Sequence, residues 1–285
     1  MFHRNDSEVF VPDGLPAAEA LARTTHLAVG AHQDDLEFMA LQGVLDCFGR
    51  TDRWFCGAVV TNGAGSPRSG LYASCTDVDM MRIRRTEQKK AATVGEYGAC
   101  VLLGHPSGRV KDPDETIVVD DLRRLLLATR PSVVYTHNLA DKHDTHVATL
   151  LRLVAAIRSL PPAMRPQRLL GCEVWRSLDW LCDEEKVVDD VGRHPNLGAA
   201  LSSVFDSQIA GGKRYDAAVA GRRLANATFF ESHAVDAATA LSFALDMTPL
   251  MRDGAPDSAD FIEDRIRRFS AEVKERVSNL TRHEP

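Results

Sequence analysis

An α/β fold, doubly wound around a mostly parallel sheet flanked by helices, is what this sequence predicts. Short β-branched runs alternate with amphipathic stretches from about Thr25 to Val174. Helix start and stop signals bound the amphipathic stretches. The most chemically capable side chains follow the ends of the β-branched runs, the edge where ligands bind in such sheets.

In chain order, His26 to Ala31 reads as a buried strand and Phe38 to Phe48 as a helix. Phe55 to Thr61 is a second strand. Thr76 to Tyr97 is a long helix, which Thr76 or Asp77 can cap and which Gly98 follows. Ala99 to Leu103 is a third strand, and Ile117 to Thr129 a helix opened by acidic residues. Ser132 to Thr136 is a fourth strand. Asp144 to Leu160 is a helix stopped by Pro161 and Pro162, and Leu169 to Trp175 is a fifth strand. Strands and helices alternating at this spacing give a parallel sheet with right-handed crossovers, a Rossmann-like arrangement. Beyond Asp179 the pattern is less regular, with helix-like stretches near Ala217–Phe230 and Phe261–Leu280. No low-complexity linker intervenes. One domain is therefore expected over residues 1–285, with a core at about 25–175 and a C-terminal extension at about 176–285.

With 44% hydrophobic and 26% charged residues in a chain of 285, a sizeable core needs no disulfides. The six cysteines are scattered, without a CxxC pair, so neither a zinc ribbon nor a disulfide framework is expected. A net charge of −6 argues against a nucleic-acid partner. No apolar run approaches the ~20 residues that span a bilayer. Residues 1–22 carry Asp6, Glu8, Asp13 and Glu19 and no apolar run of the secretory kind, so a cytoplasmic location is expected. The loop Gly63 to Gly70 lacks the P-loop spacing and does not follow the first strand, which leaves nucleotide binding weakly supported.

Two clusters carry the chemistry. His32-Gln33-Asp34-Asp35 follows the first strand, with Glu37 just beyond. His137, Asp141, His143, Asp144 and His146 follow the fourth. Imidazole and carboxylate suit zinc and other borderline divalent cations, and a catalytic zinc keeps three protein ligands and one open position. His32 and Asp35 share a short turn; His143 and His146, three apart at a helix start, share a face. One of that pair can bind metal while the other faces substrate. Asp34 is placed to take a proton from a metal-bound water.

These clusters resemble the signatures of the LmbE-like, or PIG-L, family of zinc-dependent N-deacetylases. The family's AHPDDE-type motif is matched by Ala31-His-Gln-Asp-Asp-Leu-Glu37, and its HxxH motif by His143-Asp-Thr-His146. An RxxE element is matched by Arg84-Arg-Thr-Glu87. The resemblance implies that His32, Asp35 and His146 are metal ligands and Asp34 the general base. It gives His143 the oxyanion or the leaving amine, and lets Arg84 reach the substrate. Gln33 stands where the family has proline, Glu37 falls one place late and receives no role, and Asp144-Thr145 replace Pro-Asp. The task of orienting the histidine then falls to Asp141 or Asp144.

Asn62, Asp141 and His233 join Arg84 as candidate substrate contacts, and His137 and His105 as supporting residues at the rim. Trp175 and Trp180 could stack on a sugar ring. The expected function is Zn2+-dependent removal of an N-acyl group, N-acetyl first of all, from an amino sugar or glycosylated small molecule. Another divalent transition metal would serve as well. The partner is a small N-acylated molecule, without nucleic acid or membrane insertion, and a homo-oligomer is compatible. An amidase acting on a non-sugar or thiol-conjugate amide, or a non-catalytic metal-binding protein, are the alternatives.

Overall fold

The structure is a computed structural model and describes residues 2–281. Its elements run β1 (Glu8–Phe10), α1 (Ala17–Ala22), β2 (His26–Gly30), α2 (Asp35–Met39), α3 (Leu41–Cys47), β3 (Phe55–Thr61) and α4 (Asp77–Val94). They continue β4 (Ala99–His105), α5 (Ser107–Lys111), α6 (Ile117–Thr129), β5 (Val133–His137), α7 (Asp144–Arg158) and β6 (Arg168–Cys172). The C-terminal part adds β7 (Lys186–Asp190), α8 (Pro195–Ser203), α9 (Asp206–Ile209), α10 (Tyr215–Phe229), β8 (Leu241–Asp246) and α11 (Ser258–Thr281).

All eight strands join one mixed sheet in the order β1-β4-β3-β2-β5-β6-β8-β7. From β4 across to β6 the strands are parallel; β1, β8 and β7 are antiparallel to their neighbours. The chain winds outward from β2 to β4, then returns to the other side of β2 with β5 and β6. That reversal opens a crevice beyond the carboxyl ends of β2 and β5. Both predicted clusters sit there.

The strand interiors alternate between two apolar layers. Leu27, Val29, Cys56, Ala58 and Val60 face the layer containing α1, α6 and α7. Ala28, Phe55 and Val59 face the layer containing α2, α3, α4 and α8. Runs buried on both faces are what central parallel strands require. At Gly57 a Cβ would sit 2.7 Å from Leu36 Cδ1, so α2 packs onto β3 only because that position has no side chain.

Several boundaries differ from the sequence expectation. The helix expected at Phe38–Phe48 is two helices, because the backbone leaves helical geometry at Ala40. The first of them starts at Asp35, inside the motif. Thr76 caps α4 in a reciprocal capping box with Asp79. The helix ends at Val94 rather than Tyr97, with Gly95 at its C-cap and Glu96 at φ 52. The fifth strand stops at Cys172, and His105 and His137 are the last residues of their strands. The strands β1, β7 and β8 were not expected: β1 has three residues, and β7 lies half-exposed at the other sheet edge, so neither shows a clear alternation. No helix among the described residues is long and apolar enough to cross a membrane.

Candidate metal centre and active site

The turn after β2 is held from two neighbouring elements. Asp34 sits at φ 94, in the left-handed region that non-glycine residues seldom occupy and that recurs at functional sites. Its backbone N–H donates to Gln88 Oε1 at 3.2 Å, and Gln33 Nε2 donates to Thr61 O at 3.1 Å. From α4, buried Arg84 donates to Gln33 O and, at 3.2 Å, to Asp34 Oδ2. Behind the turn, Glu37 Oε1 accepts from Gln88 Nε2 at 2.7 Å and from Tyr97 OH at 2.8 Å.

This scaffold brings three donor groups together. His32 Nδ1 lies 3.1 Å from His146 Nε2 and 3.4 Å from Asp35 Oδ2. His146 Nε2 lies 3.4 Å from Asp35 Oδ1. Tetrahedral coordination with bonds of about 2.0–2.2 Å sets donor–donor edges of about 3.3–3.5 Å. The two Asp35 edges end on different oxygens, and the donor atoms that lie within 4.8 Å of one another form two overlapping sets, His32–His143–His146 and Asp35–His137–His146; the imidazole and carboxylate chemistry gathered there suits a zinc-like divalent ion. His143 lies within reach of the same cluster, its ring stacked on His146 at 4.7 Å between centroids.

His137 is close enough to Asp35 and His146 to compete as a ligand, but its Nε2 is already committed. That nitrogen accepts from the Ala31 backbone N–H at 2.9 Å. With its ring stacked on His146 at 3.9 Å, His137 supports the centre from behind. Asp141 stands on the far side of His146, with Oδ1 3.3 Å from Nδ1, and also accepts from the His143 N–H at 2.9 Å. A carboxylate behind a ligating imidazole fixes its tautomer and raises its basicity.

Electrostatics separates the two adjacent aspartates. Burial pushes Asp34 up to about 6, against the opposing Arg84 guanidinium. Asp35 is just as buried, yet the His146 and His137 rings hold it well below the usual carboxylate range. Neighbouring carboxylates driven apart in this way are suited to different tasks, one as a permanent anion and one as a proton carrier. Burial, with the His32 and His146 rings, lowers His143 to about 4. Its Nδ1 accepts from Thr145 N–H at 3.2 Å as the N-cap of α7, which leaves the ring proton on Nε2.

These groups form the floor of a cavity of about 510 Å³, of ordinary size for a small-molecule site. Its walls include Trp175 and Tyr215, edge to face at 5.8 Å, together with Lys111, Lys213 and Arg222.

Residues 27–157 match the family model described as PIG-L: GlcNAc-PI de-N-acetylase. The match covers just under half of the chain, from β2 to α7. No curated protein matches its sequence. Among solved structures it is similar to the 4-carboxy-2-hydroxymuconate hydratase GalB from Pseudomonas putida KT2440, at 15% identity and TM-score 0.58, covering 79% of this chain and 96% of that one. It is similar to the N,N'-diacetylchitobiose deacetylase from Pyrococcus horikoshii, at 14% identity and TM-score 0.58, covering 79% and 84%. It is also similar to the teicoplanin deacetylase Orf2, solved in a zinc-inhibited form, at 16% identity and TM-score 0.55, covering 78% and 97%. At these identities the likeness establishes the fold.

The PIG-L segment spans β2 to α7 and contains the triangle, Asp34, Arg84 and His143. Of the other candidates, Arg84 faces Asp34 at the cavity floor and makes no bond to Glu87, which instead accepts from Ser207 N and Oγ, both at 2.7 Å. Asn62 closes its own turn, Oδ1 accepting from Ala64 N–H, and lies off the cavity wall. Asp141 is enclosed behind His146 rather than open to a ligand. His233 is exposed in the loop after α10 and does not reach the cavity. His105 bonds Asp121 at 3.0 Å, away from the site. Trp175 lines the cavity, while Trp180 packs against the apolar core.

Sequence reasoning assigned nothing to Gln88, Glu37, Tyr215 or Lys213. Gln88 follows Glu87 of the RxxE element by one residue, and only the helical phase of α4 could have pointed to it. Tyr215 and Lys213 lie outside the PIG-L segment, in the irregular C-terminal part. That part also braces the site: Arg223 of α10 donates to Glu37 O at 2.8 Å and Phe38 O at 3.0 Å.

Proposed function

We propose that the protein is a metal-dependent hydrolase that removes an N-acyl group, N-acetyl first of all, from an amino sugar or glycosylated small molecule. The observation that carries the reading is the His32–Asp35–His146 triangle beside a buried Asp34 raised to about 6, at the floor of one cavity. The family name of residues 27–157 supports amide cleavage on an N-acetylated sugar. A zinc-like divalent ion at the triangle would supply Lewis acidity and a bound water with a pKa lowered to about 7.

The chain's own groups supply the proton transfers. Asp34 takes a proton from the water attacking the acyl carbon. Arg84 fixes the orientation of that carboxylate and favours its charged form. Neutral His143 offers its Nε2–H to the carbonyl oxygen as negative charge develops there. As the C–N bond breaks, Asp34 returns the proton to the departing nitrogen, giving a free amine and a carboxylic acid. Trp175 and Tyr215 offer flat faces to a sugar ring. The hydratase among the structural neighbours means that the fold alone does not choose the bond.

The test is metal content together with amine release. Wild type and Asp34→Ala are purified, their bound metal is quantified, and both are assayed against a panel of N-acetylated sugars. About one metal per chain in both proteins, with amine released by the wild type alone, is the expected outcome. Failure of both to take up zinc when it is supplied would sink the site and the function together.

A further inference from the structure

We infer that a second cavity, between α8 and α10, binds a small amphiphilic carboxylate, its apolar tail along the wall and its carboxylate on Arg223. The site lies apart from the metal centre, and its ligand does not depend on which bond is cut there. Helix α10 separates the two: Tyr215, Val219 and Arg222 face the first cavity, while Asp216, Ala220 and Leu224 face the second. The second cavity has a volume of about 600 Å³, within the range of small-molecule sites. Leu41, Val191, Pro195, Ala199, Ala220 and Leu224 give its wall an apolar character.

The cation in this wall is Arg223, only 8% exposed. Its Nη2 donates to Glu37 O and Phe38 O, which leaves Nε and Nη1 without a hydrogen-bond partner among the described residues. Among those residues Arg223 also makes no ion pair. Asp216, the carboxylate of the lining, is tied to Arg214 at 3.0 Å. Burial pulls the guanidinium down to about 10, and Glu173 opposes this only in part. The oxygens of Glu173 are spent on Leu178 N–H, Asn226 Nδ2 and Phe243 N–H. A charge this enclosed is costly unless an anion reaches it.

The free nitrogen stands beside the open space. A Cβ built on Gly198, a residue of the cavity wall, would lie 4.0 Å from Arg223 Nη1 and 3.2 Å from Leu41 Cδ2. An anion in the space that this glycine leaves would take a charge-assisted hydrogen bond from Nη1, while Nη2 keeps its two bonds to the end of α2. The serine hydroxyls of the wall are already committed: Ser202 Oγ donates to Gly198 O at 2.9 Å and Ser203 Oγ to Ala199 O at 2.7 Å. A polyol or a phosphate would therefore leave most of its oxygens unpaired. One carboxylate on a hydrocarbon tail matches one guanidinium in an apolar wall.

The experiment titrates the purified full chain calorimetrically at pH 7 with octanoate, with 1-octanol as the tail without the charge, and with acetate as the charge without the tail. Octanoate should bind at least tenfold more tightly than either. Affinity should rise from hexanoate to octanoate to decanoate, by up to about fourfold per methylene. Ala220→Trp fills the cavity from an exposed position of α10 and should lower octanoate affinity by tenfold or more. Arg223→Met should bring octanoate down to the level of octanol. That variant also loses the bonds to α2, so if it does not fold, the comparison of octanoate with octanol in the wild type carries the test of charge. No binding of octanoate, or equal binding of octanoate and octanol, would overturn the inference. Octanoate binding that survives Ala220→Trp would place the carboxylate at the metal centre instead and would overturn it too. An affinity that falls as protein concentration rises would mean that a second copy of the chain occupies the groove, with the same consequence.

Discussion

Glu37 is fully enclosed, and burial drives its carboxyl up to about 8 from an ordinary 4.5. It is therefore protonated in the folded protein at neutral pH and ionised in the unfolded chain. Because the folded state holds the extra proton between those two values, stability is highest below about 4.5 and is lost as pH rises toward 8. At ~1.4 kcal/mol per pH unit, the interval is worth about 5 kcal/mol as an upper bound. Glu37→Gln abolishes the titration but leaves a buried amide in place of one hydroxyl. Oε1 still accepts from Gln88 and Tyr97, while the atom at the Oε2 position, which has no partner, becomes an NH2 with two donors to satisfy. One additional orphan donor costs about 1–3 kcal/mol. Near pH 5, where about 0.8 kcal/mol of the wild type's linkage is already lost, the variant should be the less stable protein by at most about 2 kcal/mol; near pH 8 it should be the more stable one, the two curves crossing in between. Urea unfolding of both proteins with a chelator present, at pH 5, 6, 7 and 8, reads the difference. A stability difference that does not change with pH would refute the reasoning.

Three further outcomes follow from the same geometry. Arg84→Ala removes the cation that opposes burial at Asp34, so the acid limb of kcat/KM, which needs Asp34 ionised, should move up by about 1–3 units with metal content retained; an unmoved limb would detach Arg84 from the base. Gly63→Ala places a Cβ at φ 75 and 2.6 Å from Gln33 Oε1, with Arg84 Cβ at 3.2 Å. It should lower stability by about 1–3 kcal/mol and activity disproportionately, read by comparing urea midpoints with turnover. Chelation should lower the apparent unfolding free energy, and adding zinc back at 100 times its Kd should restore about 2.7 kcal/mol; a melting temperature indifferent to both treatments would argue against a metal at the triangle.

The part of this architecture that is legible in the sequence is the part written in local pattern. Continuous apolar runs such as Phe55–Thr61 announce central strands because both faces are covered, and the Thr76–Asp79 box announces a helix start because two donors need acceptors there. The motif residues stand out in the sequence because imidazoles and carboxylates crowd two strand ends on one edge of the sheet. What stays hidden depends on long-range contact. Asn62 and Asp141 have the chemistry of ligand-binding groups, and only the fold turns the first onto its own backbone and the second onto the back of His146. Gln88 looks like an ordinary helix polar residue until α4 packs beside the turn and joins the Asp34 backbone to Glu37. The edge strand β7 has a partner only in β8, where Asp190 pairs with Leu241 across a long stretch of intervening chain, so no local window contains its pairing.

The division of labour between Asp34 and His143 can be argued from hydrogen bonds rather than from acidity alone. A histidine that donates its proton to a leaving amine must first be an imidazolium, with N–H groups on both nitrogens. At His143, Nδ1 faces the Thr145 N–H, so protonation there sets two donors against each other at the start of α7. The same change would also add positive charge beside the His32 and His146 rings, 4.9 and 4.7 Å away between centroids. Both effects favour the neutral ring, in agreement with its lowering to about 4. Asp34 has the opposite character: burial raises it to about 6, so its carboxylate accepts a proton near neutral pH and gives it up again. On the proposed reaction, these bonds assign the proton shuttle to the carboxylate and leave the imidazole, already oriented, to the charge that develops on oxygen.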